Sequence, residues 1–357
     1  MQPASNRLVA YWLFAMCALV ALMVIVGGAT RLTDSGLSIV EWRPVTGAIP
    51  PLSEADWLSE FEKYKTIPEY EEVNWGMSLA AFKEIYWWEW GHRFLGRLLG
   101  VAFLVPLISF AATKRIDGAL GLKLCGLFVL GGAQGALGWW MVSSGFSERV
   151  DVSQYRLAAH LALAVLLFAA MLWIALDLVS IRRNTASPLR AFAFALAAGV
   201  FLQMVLGAFV AGLRAGRTFN TWPLMDGKFF PEGYFHGAPG FGDLFETAAA
   251  AQFNHRVGAY FLACAAVWFY LAARGTAIER RALLLLAAVA LQIILGIVTV
   301  LAATPIALGL AHQAGALVVL AAALYAAHGS TNSMSMTPSS SRAGDGARGS
   351  TGSPSGS

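Results

Sequence analysis

The stretch ALGLKLCGLFVLGGAQGALGWWMV, residues 119–142, carries a single charged side chain, Lys123. An apolar run of that length is long enough to cross the hydrocarbon core of a bilayer as one helix. Comparable runs recur through the chain at 9–29, 94–113, 119–142, 155–179, 189–212, 252–273, 281–302 and 306–327. Because 57% of the 357 residues are hydrophobic and only 13% are charged, the chain is too apolar for a soluble globular protein. We therefore predict an all-α integral membrane protein with eight transmembrane helices.

The basic residues of the short connections predict how the spans are oriented. Connections rich in Lys and Arg lie near 114–123, 180–190 and 274–281. The short connections on the opposite side, near 143–154 and 303–305, contain a single basic residue, Arg149. The positive-inside rule therefore predicts that both termini are cytoplasmic. The long connection 30–92 then lies outside, and because it holds eleven of the chain's 21 carboxylates we expect a folded acidic loop. The formal charge of +4 follows from this topology, and no nucleic-acid partner is indicated.

The second half of the chain repeats the first. Three pairs of segments match in order: QGALGWWMV (134–142) with QIILGIVTV (292–300), WGHRFLG (90–96) with FNHRVGA (253–259), and LAAHLALAVLL (157–167) with GLAHQAGALVV (309–319). Each copy contains an even number of spans, so both cross the membrane in the same direction, as in proteins with parallel repeats. We predict two pseudo-symmetric four-helix bundles, an N-terminal half at 1–180 and a C-terminal half at 181–328. The Ser- and Gly-rich tail, 329–357, is predicted to be disordered.

Four histidines are placed equivalently in the two halves, near the outer ends of the second, fourth, sixth and eighth spans. They are His92, His160, His255 and His312. Polar groups inside a bilayer are costly and are usually functional, and two facing imidazoles in a helix bundle suit axial ligation of a haem iron. Zinc or copper is less favoured, because no carboxylate or thiolate partner recurs at both pairs.

The remaining histidines and the cysteines suggest no further site. His236, in a Gly- and Pro-rich outer connection, and His328, at the expected frayed end of the last span, are interpreted as incidental. Cys17, Cys125 and Cys264 lie singly in three different spans and are interpreted as small packing residues.

The two histidine pairs differ in their surroundings. Glu89 precedes His92 by three residues, on the same face of a helix, whereas the matching residue in the second half is Gln252. Arg97 likewise corresponds to Tyr260. An ionisable group beside a metal ligand, under the aromatic side chains of this stretch, is a candidate for chemistry. The second half then resembles a simple electron-transfer site and the first a reactive one.

Two arginines follow the first histidine of each half directly. Arg93 and Arg256 are candidates to pair with haem propionates at the outer surface, and snorkelling to the membrane interface is the alternative.

Five segments resemble signatures of the haem A synthase family. They are GGATRLTDSGLSIVEWRPVTGAIPPL (27–52), FKEIYWWEWGHRFLGR (82–97), LGAFVAGLRAGRTFNTWPLMDG (206–227), QFNHRVGAY (252–260) and AHQAGAL (311–317). The resemblance covers about residues 8–328. It implies eight transmembrane helices in two pseudo-symmetric halves, and an oxidoreductase that converts the C8 methyl group of haem O to the formyl group of haem A, the cofactor of aa3-type cytochrome c oxidases.

The resemblance also implies roles for individual residues. His255 and His312 would ligate a haem b cofactor, and His92 and His160 would ligate or position the substrate haem. Glu89 would be the catalytic carboxylate, and the cofactor-binding cations would be Arg93, Arg97 and Arg256. Because 30–92 contains no cysteine, the sequence is similar to the cysteine-free proteobacterial and mitochondrial type, and a thiol in that loop takes no part.

The implied partners are haem O, haem O synthase, cytochrome c oxidase assembly factors, membrane lipid and an unidentified electron acceptor, with a homo-oligomer left open. No Arg- and Ser-rich presequence is recognisable, so we expect a bacterial cytoplasmic (inner) membrane as the location, with the haem sites near the outer face.

Two other classes of protein remain as alternatives. A bis-His dihaem b-type cytochrome would explain the four histidines equally well, but gives no reason for Glu89 to occur in one half only. A transporter with parallel repeats predicts helix breaks near the midplane of the membrane, whereas the polar residues here cluster at the outer ends of the spans. The haems that can be extracted from the protein would distinguish all three.

Overall fold

The computed structural model describes residues 4–147, 149–180, 187–235, 240 and 242–331, and within these ranges it contains helices and no β-strand. The helices are α1 (Ala4–Leu32), α2 (Glu54–Tyr64), α3 (Pro68–Glu72), α4 (Leu79–Ala112), α5 (Gly118–Val142), α6 (Gln154–Val179), α7 (Arg190–Gly212), α8 (Asp243–Glu246), α9 (Ala248–Ala273), α10 (Glu279–Leu301) and α11 (Ile306–Thr331). In this part of the chain eight helices are long and apolar enough to cross a membrane, which confirms the predicted number of spans.

The long helices pack in two groups of four. In the first, α1 contacts α4 and α6, and α5 also contacts both, so α4 and α6 lie diagonally opposite each other. In the second, α7 and α10 each contact α9 and α11, so α9 and α11 are the diagonal pair. The groups meet where α1 and α6 pack against α11 and where α6 packs against α7. Every candidate histidine therefore lies on a helix of a diagonal pair. The pseudo-symmetry of the halves, and their boundary at 180–181, stay predictions.

Helix α4 starts much earlier than the hydropathy of the sequence predicts. The Ser78 side chain accepts a hydrogen bond from Ala81 N and caps the helix, so α4 begins at Leu79 and not near residue 94. Phe82, Tyr86 and Glu89 follow at helical spacing and are buried. The last residues of the predicted outer loop, 79–92, therefore form the first turns of α4, and these turns bury one face. Residues 33–78, between α1 and α4, are called the outer segment below.

The outer segment is folded, as predicted. A capping box of Ser53 and Asp56 starts α2, and a proline at the first position starts α3. An aromatic cluster fills the space between these helices and α4; its members are Trp57, Phe61, Tyr64, Tyr70, Phe82 and Tyr86. This core fixes the outer segment on the first turns of α4.

One buried acid within this core makes its stability depend on pH. Glu69 is 4% exposed and accepts a hydrogen bond from Tyr64 Oη at 3.1 Å. Burial raises the pKa of Glu69 to about 8. Because this pKa is above that of an exposed Glu, about 4.3, the folded form gains stability at low pH and loses it as the pH rises through about 8.

We expect proteolysis of the outer segment to speed up between pH 6 and pH 9 relative to the rest of the chain. Glu69→Gln should remove most of this dependence, because an amide does not ionise. Limited proteolysis in detergent, followed by mass spectrometry of the cleavage sites, measures the pH dependence of cleavage in the wild type and in Glu69→Gln. A wild-type segment that resists proteolysis equally at both pH values would contradict the expectation.

The end of the last span differs from expectation. Helix α11 continues to Thr331, so the predicted tail loses its first three residues, and the rest of it lies outside the described residues. The interpretation of His328 as a frayed, incidental residue is wrong. His328 is 1% exposed, with its Nε2 3.0 Å from Asp177 Oδ1 on α6 and its ring against Trp173. The polar pair binds α11 to α6 near the cytoplasmic side predicted above. His236 lies outside the described residues.

The three cysteines differ in how far they are buried. Cys17 is buried, which confirms its interpretation as a packing residue. Cys125 and Cys264 lie on exposed faces of α5 and α9, so packing within the bundle does not account for them.

Candidate functional site

The histidines of the second half face each other across the bundle. The rings of His255 on α9 and His312 on α11 have centres 6.3 Å apart, with their planes at 81°. An imidazole nitrogen bonds a metal ion at about 2 Å, and the ring centre lies about 1 Å behind it, so two imidazoles sharing one iron have centres about 6 Å apart. The spacing of this pair therefore fits the axial ligands of a haem.

Three of the four histidines are held by a glutamine of the preceding long helix. The pairs are Gln134 with His160, Gln203 with His255, and Gln292 with His312. In each, the glutamine Nε2 donates to the backbone carbonyl of the histidine at 2.7–2.9 Å and lies 3.0–3.1 Å from the ring Nδ1. A partner at Nδ1 fixes the orientation of the ring.

A glycine lies four residues after each of these glutamines, one helical turn further on, and the imidazole packs against it. A Cβ built on Gly138 would lie 2.8 Å from His160 Cε1, and one on Gly296 would lie 2.8 Å from His312 Cε1. On Gly207 it would lie 3.2 Å from His255 Cε1. A Cβ at Gly138 or Gly296 would force the ring to shift, and one at Gly207 would press against it. We call each Gln-x-x-x-Gly arrangement a histidine seat.

His92 is held differently. It packs against Gly27 of α1, but here the ring Nε2 is the nearest atom, 3.0 Å from where a Cβ would lie. The position four residues before Gly27 is Met23, not glutamine. Among the described residues no hydrogen bond is made by the His92 ring. The sequence comparison of the two halves matched Gln134 with Gln292 but missed Gln203 and the exception at Met23.

The carboxylate of Glu89 is buried and fully occupied. The side chain is 2% exposed, and its Oε2 accepts from Ser38 Oγ and from Ile39 N, both at 2.8 Å. Its Oε1 accepts from Arg93 Nη2 at 2.6 Å and from Arg93 Nε at 3.1 Å. Glu89 therefore joins the outer segment to α4.

The two arginines beyond Glu89 hold the same piece of chain. Arg93 donates to the carbonyls of Ile39 and Glu41, and Arg97 donates to those of Pro44 and Arg43. One nitrogen of Arg97, Nη1, is buried without a partner among the described residues. Through these contacts both arginines organise the outer segment rather than extend freely to the interface. Their role at propionates stays a prediction.

Gln252 and Arg256 have the corresponding positions in the second half. Both donate to the carbonyl of Phe219, each at 3.1 Å, and Arg256 Nη1 is buried without a partner in the described part of the chain. The connection after α7 is thus held as the outer segment is held, but by a donor amide where the first half has an acceptor carboxylate.

A cavity lies beside each of these anchors. The first, about 340 Å³, is lined by the outer segment and by Tyr86, Trp90, Arg93 and Arg97. The second, about 380 Å³, is lined mainly by apolar side chains; it includes Trp222, Phe229, Phe253, Arg256 and Tyr260. The first cavity is the more polar, in agreement with the difference seen in the sequence.

A network of charges, which no sequence pattern predicted, joins the two halves near these sites. Asp151 accepts from Arg31 at the end of α1 and from Arg214 after α7, at 3.0 and 2.9 Å. Arg214 also lies 3.0 Å from Asp34. The outer ends of the two halves are therefore connected by paired charges.

Comparison with known proteins gives a consistent result. The model of a family described as cytochrome oxidase assembly protein (COX15-CtaA) matches residues 10–324. A protein of Parvibaculum lavamentivorans named Heme A synthase is 54% identical over 326 residues, which is 91% of this chain and 95% of the relative. Proteins of the same name from Azorhizobium caulinodans and Nitrosospira multiformis are 52% and 49% identical, over 90% and 91% of this chain and 93% and 94% of theirs.

Proposed function

This chain belongs to the haem A synthase family, and from that premise we propose that it oxidises the C8 methyl group of haem O to the formyl group of haem A. The relatives that carry this name extend over nearly the whole chain. The alternative of a dihaem electron-transfer cytochrome is not favoured by them. We further propose that it is an oxidoreductase that acts on a CH or CH2 group.

We assign the resident haem b to His255 and His312. Their ring spacing of 6.3 Å fits a shared iron, and both rings are held in histidine seats. Arg256 Nη1 is a buried donor without a partner among the described residues, and a propionate would satisfy it. Such a haem, when bound, would supply one-electron transfer. The remaining assignments concern the substrate.

We assign haem O to His92 and His160, with Glu89 as the group that acts on the methyl carbon. The overall change is CH3 + H2O → CHO + 4 H⁺ + 4 e⁻, so the site needs a base for water and an acceptor for electrons. A carboxylate can take a proton from water and can stabilise positive charge at the carbon. Arg93 pairs with Glu89 at 2.6 Å and holds the carboxylate in place.

Glu89 can act as a base only if one of its hydrogen bonds is released. Ser38 supports this step, because its hydroxyl lies 2.8 Å from Glu89 Oε2 and 3.3 Å from the carbonyl of Ile85. If the hydroxyl turns to Ile85, a lone pair on Oε2 becomes available to water. Ile39 N and Arg93 would continue to hold the carboxylate.

The different roles of the two halves rest on one chemical difference. The first half holds its connecting segment with Glu89, and the second half has Gln252 at the corresponding position. Extraction of haems from the purified protein tests the function. We expect haem b together with haem O, its hydroxymethyl derivative or haem A. Haem b alone, with no conversion of haem O when haem O synthase is co-expressed, would favour the cytochrome and refute the synthase.

The partners and the location follow from the same proposal. The chain is a multi-pass membrane protein, and we propose the bacterial inner membrane with both termini cytoplasmic and the haem sites near the outer face. Haem O synthase would supply the substrate, and assembly factors of cytochrome c oxidase would receive the product. The electron acceptor is unidentified, and a homo-oligomer is left open.

A further inference from the structure

The seats of the four histidines are not identical. Three read Gln-x-x-x-Gly: QGALG (134–138), QMVLG (203–207) and QIILG (292–296). The fourth reads MVIVG (23–27), with methionine in place of glutamine. A spacing of four places both residues on one face of the helix, so the first residue of each motif faces the histidine helix one turn away from the glycine.

Met23 occupies the position that glutamine has in the other seats. Its Cε lies 3.4 Å from where a Cβ of Gly96 would be, on α4 one turn after His92. A thioether is at best a weak acceptor and donates nothing, so Met23 cannot hold the His92 backbone carbonyl or Nδ1 as glutamine does. The ring of His92 is correspondingly turned, with Nε2 toward Gly27, whereas the other three rings present Cε1 to their glycines.

Each glutamine of the three seats has one hydrogen-bond acceptor that is not used. The Oε1 atoms of Gln134, Gln203 and Gln292 are buried without a hydrogen-bond partner among the described residues. A neutral imidazole that gives Nε2 to a metal carries its proton on Nδ1, and that N–H needs an acceptor. In these three seats, rotation of the glutamine amide would place its Oε1 at Nδ1 as that acceptor. In the His92 seat no such acceptor is present on α1 at that position.

We propose that Met23 makes His92 the releasable ligand of the substrate haem, so that haem O can enter and haem A can leave while the His255–His312 pair retains its haem. This inference rests on the proposed function and names the residue that distinguishes the exchanging site from the permanent one. His160, held by Gln134, is the fixed ligand of the exchanging site. The three glutamines are positioning residues that act through the histidines, whereas Met23 offers His92 no hydrogen bond of this kind.

Exchange of haem b between the full-length protein and apomyoglobin tests the inference without any oxidation. The detergent-solubilised protein is loaded with haem b at both sites and mixed with excess apomyoglobin, and the transfer is followed by absorption. We expect a fast phase from the His92 site and a slow phase from the His255 site. Because outer partners of metal ligands change affinity by about 10- to 100-fold, Met23→Gln should slow the fast phase at least about 10-fold.

The reciprocal substitution and a matched control complete the experiment. Gln203→Met should speed the slow phase by at least about 10-fold, and Met23→Leu, which keeps an apolar side chain, should leave both phases unchanged. Met23→Gln should also lower the midpoint potential of the fast-exchanging haem, since a hydrogen bond at Nδ1 makes the ring a stronger donor. A merely structural role would leave this potential unaltered.

A single phase in the wild type would overturn the inference. A fast phase in Met23→Gln within twofold of that in Met23→Leu would overturn it as well, as would a slow phase unaffected by Gln203→Met. If the two phases respond as expected but no haem O is converted, the proposed function fails and the difference between the two sites stands.

Discussion

Replacing Glu89 with glutamine is expected to lower haem A formation by at least about 100-fold, the lower range of a general-base contribution, while haem b stays at its wild-type level. Glutamine can still accept from Ser38 and Ile39 N through its amide oxygen, so the two direct hydrogen bonds to the outer segment are preserved, whereas the two from Arg93 are lost. The substitution also reproduces Gln252, the residue that the second half carries. Alanine would be less informative, because it would remove the anchor together with the carboxylate.

Extraction and chromatography of the haems from cells that also express haem O synthase measures the effect, with haem O or an alcohol intermediate accumulating. Ser38→Ala is the matched control. It removes one donor to Oε2 but leaves Ile39 N and Arg93 in place, so haem A formation should remain near that of the wild type. Normal haem A in Glu89→Gln would eliminate Glu89 as the base. An equal loss in Ser38→Ala would assign Glu89 to holding the outer segment instead.

The spans and the four histidines could be predicted from the sequence because both depend on strong local signals. Twenty apolar residues in succession have few alternatives to a membrane helix. A histidine such as His255 is conspicuous within an apolar run, and the duplication of the chain supplied a second copy for comparison. The diagonal placement of α9 and α11 could be recognised only from the packing of the helices.

The contacts of the arginines could not be predicted, because they depend on where the outer segment folds back. Hydropathy places the start of the second span near residue 94, since IYWWEWGHR mixes aromatic and charged residues. In the structure this stretch is helical, and Arg93 and Arg97 reach carbonyls of residues 39–44 that are distant in sequence. Gln203 was missed although it lies in a helix that the sequence predicts. One glutamine in an apolar helix is unremarkable until its distance to a histidine is known.

The close contact between ring and helix in the histidine seats predicts a large effect of replacing the contacting glycine with alanine. Gly138→Ala should reduce haem A formation by at least about 10-fold, because a Cβ there would lie 2.8 Å from His160 Cε1 and force a metal ligand out of place. Gly296→Ala has the same distance to His312 and should instead remove haem b. Alanine favours an α-helix over glycine by about 1 kcal/mol, so neither loss could be attributed to a weaker helix.

The control for these substitutions lies on the same helix as the first. Gly135 lies three residues before Gly138 on α5, and apart from the adjoining backbone no atom of the described residues lies within 4 Å of its Cβ position. Gly135→Ala should therefore leave both haems and haem A formation unchanged. Haem b content by the pyridine haemochrome method and haem A by chromatography separate the two sites. Equal behaviour of Gly135→Ala and Gly138→Ala would show that contact with the ring does not hold His160. Loss of haem b in Gly138→Ala, with haem b retained in Gly296→Ala, would reverse the assignment of the two halves.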